Sequence, residues 1–192
     1  DIVNGEIPES WKKSNIVLIP KKKKKRLTPK EFRPITITNI SYKIFSDIIN
    51  RKFCNFLTRN KIMEPEQAGF MKGRHMEEHV ISVQLEIGRS RRWKEKLWIA
   101  AVDIEKAFDS IEREEIIKTL NEIEMEDKLI KTIAKIYQED YCILKKQGRK
   151  IGEIRKTRGI KQGCKISPTL FNLVLNNTIK RINQVFPKRE DE

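Results

Sequence analysis

The sequence predicts an α+β fold, and three features support this prediction. Residues 97–102 form a short apolar run rich in β-branched and aromatic side chains, which is typical of a buried strand. Residues 41–59 carry apolar side chains at helical spacing, which predicts an amphipathic helix with a basic outer face. Residues 141–157 contain two β-type runs around a Gln147-Gly148 pair, which predicts a β-hairpin.

The other elements are predicted from the same kinds of pattern. A short β-type run, 16–19, ends at Pro20. Ser167 followed by Pro168 is a favourable helix start, with serine as N-cap and proline at the first helical position. Helical periodicity predicts four further helices, over residues 76–92, 113–123, 128–137 and 167–185.

Positive charge is concentrated in the first part of the chain. The net charge is +14, and residues 1–100 hold 22 lysines and arginines against 11 acids, whereas residues 101–192 hold 19 against 16. This imbalance predicts a polyanionic partner bound mainly by the first half, unless the charge serves solubility alone. The run Lys21–Lys25 must be exposed because like charges repel, and it is a phosphate contact, a solvated loop or a localisation signal.

Several protein classes are disfavoured. No apolar run approaches the ~20 residues of a membrane span and no secretory signal is visible, so we expect no membrane partner and an intracellular location, in the nucleus or cytoplasm. Cys54, Cys142 and Cys164 are far apart and odd in number, which favours a reducing compartment. His75 and His79 are four residues apart but lack a third ligand, so we expect surface histidines rather than a metal site.

Asp103 is the candidate metal ligand, because a carboxylate at the end of a core strand is costly unless a salt bridge or a cation compensates it. A hard oxygen ligand in a basic protein favours Mg²⁺, and Mg²⁺ beside a polyanion indicates phosphoryl or nucleotidyl transfer. In the alternative interpretation Asp103 only ends the strand, and Asp109 or Ser110 caps the next helix.

Two other stretches fit a nucleotide site. Cations within residues 21–33 could grip a triphosphate. Gly159 and Gly163 would let the backbone approach a ligand closely, and Gln162 between them could read a sugar or base edge.

Taken in order, these pieces resemble the reverse transcriptases of non-LTR (LINE-type) retrotransposons. The resemblance extends from Trp11 to about Asn183. Five blocks carry it: Ile16-Val-Leu-Ile-Pro-Lys21; Phe32-Arg-Pro-Ile35 with Tyr42-Lys-Ile-Phe45; Gln67-Ala-Gly-Phe70; Ala101-Val-Asp-Ile-Glu-Lys-Ala-Phe-Asp109; and Gly159-Ile-Lys-Gln-Gly163 running on to Ser167-Pro-Thr-Leu-Phe-Asn172.

The resemblance implies a right-hand polymerase in which residues 1–192 form a partial reverse transcriptase domain. Residues 1–90 would be fingers, residues 91–192 an incomplete palm, and the thumb would be absent. The full-length protein would be an RNA-directed DNA polymerase that uses two Mg²⁺ ions, an RNA template, a DNA primer and deoxynucleoside triphosphates.

The same resemblance implies roles for individual residues. Asp103 matches the catalytic, first metal-binding aspartate, and the carbonyl of Ile104 lies near the metal, whereas Asp109 is structural. Arg33 and either Lys21 or Lys22 match the finger cations on the triphosphate. Phe108 matches the bulky gate that disfavours a 2′-hydroxyl. The loop that touches the incoming nucleotide matches Gln162 and Gly163.

The family's second metal motif, an Asp-Asp pair on a downstream hairpin, is not found before Glu192. Glu139-Asp140 lies upstream of the Gln162 loop, in the wrong order, and residues 190–192 lie in a polar tail without apolar strands. We therefore expect a chain truncated before that motif, with an incomplete Mg²⁺ site and no polymerase activity of its own. The alternative is a non-catalytic, basic RNA- or DNA-binding remnant.

Overall fold

The computed structural model describes residues 7–21, 28, 31–146 and 149–186. Three sequence predictions fall outside these ranges: the role of Lys22 with the rest of the lysine run, the Gln147-Gly148 turn, and the acidic residues 190–192. Within the described ranges the chain folds into one mixed sheet and a group of helices, so the predicted α+β class is confirmed.

The sheet joins two strands from the first forty residues to two strands from residues 140–156. Its strands are β1 (Lys13–Pro20), β2 (Phe32–Ile37), β3 (Asp140–Lys146) and β4 (Arg149–Lys156), in the order β2-β1-β3-β4. β1 pairs antiparallel with β2 and parallel with β3, and β3 pairs antiparallel with β4. The predicted strand at 16–19 and the predicted hairpin are thus confirmed, and the β1–β3 pairing brings the basic first half against the second half.

The helices follow the predicted periodicities. Asn39 caps the long basic helix, because its side chain accepts a hydrogen bond from the Ser41 backbone N–H at 2.9 Å. The helices are α1 (Glu9–Lys12), α2 (Ile40–Arg59), α3 (Met76–Trp93), α4 (Ala107–Ser110), α5 (Arg113–Glu122), α6 (Asp127–Gln138) and α7 (Ser167–Val185). No helix within the described ranges is both long enough and apolar enough to cross a membrane.

The helix cap predicted at Ser167 is wrong, and so is the cap at Asp109 or Ser110 in the alternative interpretation. Ser167 is the first residue of α7, preceded by Ile166 as N-cap, and its buried hydroxyl lies 3.2 Å from the Tyr137 hydroxyl instead of capping the helix. Asp109 and Ser110 both lie inside α4, and the residue before α5 is Glu112. In both cases a tertiary contact or an extra turn of helix, neither visible in local sequence, displaces the predicted cap.

The main core lies between helices α2, α5, α6 and α7. Each of its aliphatic or aromatic side chains contributes about 1.5–3 kcal/mol when fully buried. Trp11 ties α1 to this core, since its Nε1–H donates to Ser41 Oγ at 2.9 Å and its ring packs edge-on against Tyr42. The most buried apolar core residues include Tyr42, Phe53, Leu57, Ile116, Leu120, Ile133, Leu170 and Leu173.

The prediction of a buried strand at residues 97–102 is wrong. The segment is irregular, and Trp98 and Val102 are 90% and 85% exposed. A strand needs a neighbouring strand to satisfy its backbone hydrogen bonds, and in the part of the chain that the structure describes no strand lies beside this run. Helix α3, just before it, likewise has no buried residue. The apolar composition of this run indicated a tendency to be buried, but the folded chain leaves the run exposed.

A charged cluster lies in the interior where the sheet meets the helices. The carboxylate of Asp140, which is fully buried, lies 3.1 Å from Arg113 Nη2 and 3.3 Å from Lys161 Nζ. Lys161 is also fully buried; its ammonium donates to the Trp11 carbonyl at 3.1 Å and lies 5.0 Å from the centre of the Tyr42 ring. One carboxylate therefore compensates two cations taken out of water. Burial lowers the pKa of Arg113, and the nearby Asp140 charge opposes this effect.

The charge of Asp140 is predicted to be essential for stability. Asp140→Asn leaves the buried Lys161 and the largely buried Arg113 without a counterion, so the free energy of unfolding should fall by about 3–5 kcal/mol in urea titrations. Asp47→Asn is the matched control: Asp47 pairs with Arg51 at 2.7 Å on the outside of α2, and this change should cost no more than a few tenths of a kcal/mol. Equal effects of the two substitutions would contradict the assignment.

The buried tyrosines are predicted to make the fold sensitive to high pH. Burial, reinforced by the Cys164 thiol, raises the pKa of both Tyr42 and Tyr137 above the ordinary value. The folded chain keeps these protons while the unfolded chain releases them, so stability is full below about pH 10 and falls as the pH rises further. Denaturant titrations across this range should show a shallower fall for Tyr42→Phe combined with Tyr137→Phe; an unchanged slope would disprove the linkage.

Candidate nucleotide-binding cleft

An open cleft of about 830 Å³ lies among four separate segments of the chain. These are residue 21 just after β1, the start of β2, residues 103–109, and the end of β4 with the loop that follows it. Lys21, Arg33, Asp103, Ile104 and Gln162 all line it. Five residues that the sequence assigned to metal or nucleotide binding therefore face one space.

Phe108 and Gly163 are not among the residues that line this cleft. Phe108 lies on α4, where its ring is 5.4 Å from that of Phe171 on α7. Gly163 has φ +106°, and a Cβ there would lie 2.9 Å from the Thr36 carbonyl oxygen. Each is next in sequence to a residue that lines the cleft, Asp109 for Phe108 and Gln162 for Gly163.

The two glycines of the loop are needed for contacts with protein backbone rather than with a ligand. Gly159 has φ +77°, and a Cβ would come within 2.9 Å of both Asp109 Cα and the Phe108 carbonyl oxygen. Its N–H donates to the Ile111 carbonyl at 2.8 Å. The sequence predicted that these glycines let the backbone approach a ligand, and the close approach that the structure shows is to α4 and β2.

The loop is also joined directly to the sheet. The Gln162 carbonyl accepts a hydrogen bond from the Thr36 N–H at 3.1 Å, and the Ile160 N–H donates to the Phe108 carbonyl at 2.8 Å. The loop therefore bridges β2, which carries Arg33, and α4, which follows Asp103. Through these bonds the position of Gln162 depends on both sides of the cleft.

The lining of the cleft is strongly cationic. Among its residues are six lysines and arginines but only three carboxylates, those of Asp103, Glu105 and Asp109. The Asp109 carboxylate is paired with Lys156 at 3.5 Å, which leaves the lining with an excess of positive charge. Such a cleft attracts a polyanion. The six cations are Lys21, Arg33, Lys106, Arg155, Lys156 and Arg158.

Four of these cations were missed by the sequence reasoning. Lys106 precedes α4, and Arg155, Lys156 and Arg158 lie at and beyond the end of β4. The basic edge of the predicted hairpin was the available signal, but nothing local indicates that this edge faces Asp103. The fold places it there through the β3–β4 pairing and the Lys156–Asp109 ion pair.

The described residues do not supply a full set of ligands for the two expected Mg²⁺ ions. Asp103 is exposed in the cleft, with Ile104 beside it, but Asp109 is already engaged by Lys156. No group of three or more His, Cys, Asp or Glu side chains within the described ranges is arranged to hold a metal. Two ions about 3.5–4 Å apart need several carboxylates, and Asp103 with Glu105, the other carboxylate that lines the cleft, does not meet that requirement.

Glu139, Asp140 and the two histidines are committed elsewhere. Glu139 pairs with Lys12 at 2.5 Å, and Asp140 belongs to the interior cluster. His75 and His79 are exposed, the first as the N-cap of α3, so the prediction of surface histidines is confirmed.

A second cavity, of about 800 Å³, lies between α5, α6 and the end of β4 and is lined mainly by apolar groups. It contains none of the residues predicted to bind metal or nucleotide. Four cations also line this cavity, but its surface is mainly apolar, so the cleft with six cations is the better candidate site for a triphosphate. Arg155, Lys156 and Thr157 form a wall common to both spaces.

Comparison with known proteins identifies the family. The sequence model of the family described as reverse transcriptase (RNA-dependent DNA polymerase) matches residues 19–190. The chain is 28% identical, over 93% of its length, to a Pol polyprotein from the type-1 retrotransposable element R2 of Nasonia vitripennis, and 26% identical, over 93%, to that of element R2DM of Drosophila melanogaster.

A third relative is a probable RNA-directed DNA polymerase from transposon BS of Drosophila melanogaster, 24% identical over 86% of this chain. The chain spans 17%, 16% and 18% of these three relatives, so it corresponds to a small part of each. The match to the family model covers most of the chain. The chain belongs to the reverse transcriptase (RNA-dependent DNA polymerase) family.

Proposed function

We propose that this chain provides the nucleotide-binding part of an RNA-directed DNA polymerase of a retrotransposon Pol polyprotein. One observation carries the proposal: Lys21, Arg33, Asp103, Ile104 and Gln162, taken from four separate segments, line a single cationic cleft. In this proposal residues 1–90 are fingers and residues 91–192 are part of a palm. The partners are an RNA template, a DNA primer and deoxynucleoside triphosphates, in the nucleus or cytoplasm.

Each residue has a role that its chemistry supports. Arg33 presents a planar guanidinium suited to two phosphate oxygens, and Lys21 adds a point charge beside it. Gln162 offers a donor and an acceptor to a sugar or base edge. For Phe108 only the bulk of the side chain supports the role of a gate against a 2′-hydroxyl, because its ring packs on Phe171 and does not line the cleft.

The metal chemistry requires more metal ligands than the described residues provide. In the family a divalent ion activates the attacking hydroxyl and stabilises the leaving pyrophosphate, and Asp103 with the Ile104 carbonyl would contribute ligands to it. What this chain's own residues do is narrower: they bind the triphosphate, orient it and neutralise its charge. We therefore propose that the 192-residue chain binds nucleotide without completing synthesis.

Arg33 is predicted to dominate nucleotide affinity. Arg33→Gln removes charge-assisted hydrogen bonds worth about 1.5–3 kcal/mol, so the Kd for dATP with Mg²⁺ should rise by roughly tenfold or more in isothermal titration. Arg59→Gln, which removes the same charge from the exposed end of α2, is the matched control and should change the Kd less than about twofold.

Two results would count against the nucleotide site. One is equal binding of dATP by wild type and Arg33→Gln. The other is the pattern expected of a non-catalytic remnant: RNA binding that weakens steeply with salt, combined with no dATP binding at all.

Primer extension tests whether the ligand set is incomplete. The 192-residue chain, given an RNA template, a DNA primer, all four dNTPs and Mg²⁺ or Mn²⁺, should yield no extended product, because Asp103 and Glu105, the carboxylates left free of Lys156 in the cleft lining, are too few to hold two ions. Addition of the bound dNTP in a template-dependent manner, abolished by Asp103→Ala, would contradict this prediction.

A further inference from the structure

The loop that carries Gln162 is anchored from inside the protein by the buried charged cluster. We propose that Arg113, Asp140 and Lys161 are positioning residues for the nucleotide cleft: they fix residues 157–163 so that Gln162 meets the nucleotide, without touching it themselves. This inference rests on the proposed function, and it assigns to these three residues a task beyond holding the fold together.

Arg113 grips the backbone at both ends of the first half of the loop. Its guanidinium donates to the Lys156 carbonyl at 2.7 Å, to the Gly159 carbonyl at 3.2 Å and to the carbonyl of Tyr137. A further N–H donates to Asp140 Oδ2 at 3.1 Å. Four acceptors from three segments thus converge on one planar group, which only arginine among the side chains can serve simultaneously.

Lys161 anchors the second half of the loop. It directly precedes Gln162, yet it is fully buried while Gln162 lines the cleft. Its ammonium is held by the Trp11 carbonyl and by Asp140. An inward-facing charge at this position fixes the direction of the chain, because rotating the loop would remove the ammonium from its only compensating carboxylate among the described residues.

Asp140 connects the two anchors unequally. Its Oδ2 accepts a hydrogen bond from Arg113, whereas its Oδ1 lies 3.3 Å from Lys161 Nζ in an ion-pair contact that lacks hydrogen-bond geometry. The directional link is therefore the one to Arg113, and the link to Lys161 is mainly coulombic. A directional bond constrains geometry more tightly than an apolar contact would, which is why Arg113 is the informative residue to change.

Arg113→Lys is the test variant, since it keeps a positive charge near Asp140 but cannot serve four acceptors. Amide hydrogen exchange in the folded protein should accelerate by about tenfold at Gly159, Ile160 and Thr36. The first two N–H groups bond the loop to the carbonyls of Ile111 and Phe108, and the Thr36 N–H bonds β2 to the Gln162 carbonyl. Amides in the middle of α2 should accelerate less than these loop amides. A role in global stability alone would accelerate the most protected amides instead.

The functional consequence is tested by a double-mutant cycle with dATP. Arg113→Lys should raise the Kd by about fivefold to tenfold, and this effect should disappear when Gln162 is already alanine, because the two changes act through the same contact. Arg51→Lys is the matched control: it makes the same substitution in the exposed ion pair with Asp47 and should leave both Kd and loop exchange unchanged.

The outcomes separate the positioning claim from the proposed function. Unchanged exchange of the loop amides, or additive effects of Arg113→Lys and Gln162→Ala, would overturn the positioning claim while leaving the nucleotide site intact. Absence of dATP binding in the wild type would overturn the proposed function, and loop exchange would still decide the positioning claim. If Arg113→Lys does not fold, Lys161→Met is the second variant, because it preserves the Arg113–Asp140 pair. It should accelerate hydrogen exchange at the Thr36 amide, and unchanged exchange there would overturn the positioning claim.

Discussion

A carboxylate buried between two cations organises this chain. Asp140 has no exposed surface, and neither does Lys161, so their charges cannot be solvated and must find one another as the chain folds. Arg113 also pairs with Asp140, and its other N–H groups donate to backbone carbonyls. Because the penalty for a misplaced interior charge is several kcal/mol, the cluster specifies how α5, β3 and the 157–163 loop meet more strictly than apolar packing alone would.

The pairing of strands in the sheet places the charged cluster next to the cleft. Parallel pairing of β1 with β3 places Ser14 opposite Cys142, so Trp11, just before β1, can offer its carbonyl to Lys161. The antiparallel partner β2 carries Arg33 back toward the same region and bonds to the Gln162 loop through Thr36. Residues separated by more than a hundred positions thereby form opposite walls of one cleft.

The cleft shows how charge is divided between structure and ligand binding. Lys156 neutralises Asp109, whereas Asp103 is exposed and faces an excess of cations. An anionic ligand would relieve the repulsion among those cations.

Local pattern was sufficient for much of this protein. Helical spacing located α2, α3, α5, α6 and α7, and the spelling of short blocks was enough to assign the family and to name five residues that meet in the cleft. These properties depend on neighbours within a few turns, or on residue identities alone, so they are visible without coordinates.

Other properties required the tertiary structure, because they depend on partners that are distant in sequence. The run at 97–102 is apolar but exposed, since no described strand pairs with it, and Ser167 bonds to Tyr137 rather than capping α7. The interior pairing of Asp140 with Arg113 and Lys161 could not be foreseen, because each residue alone looks like an ordinary surface charge. Burial and ion pairing are relations between segments, and only the folded chain decides which segments meet.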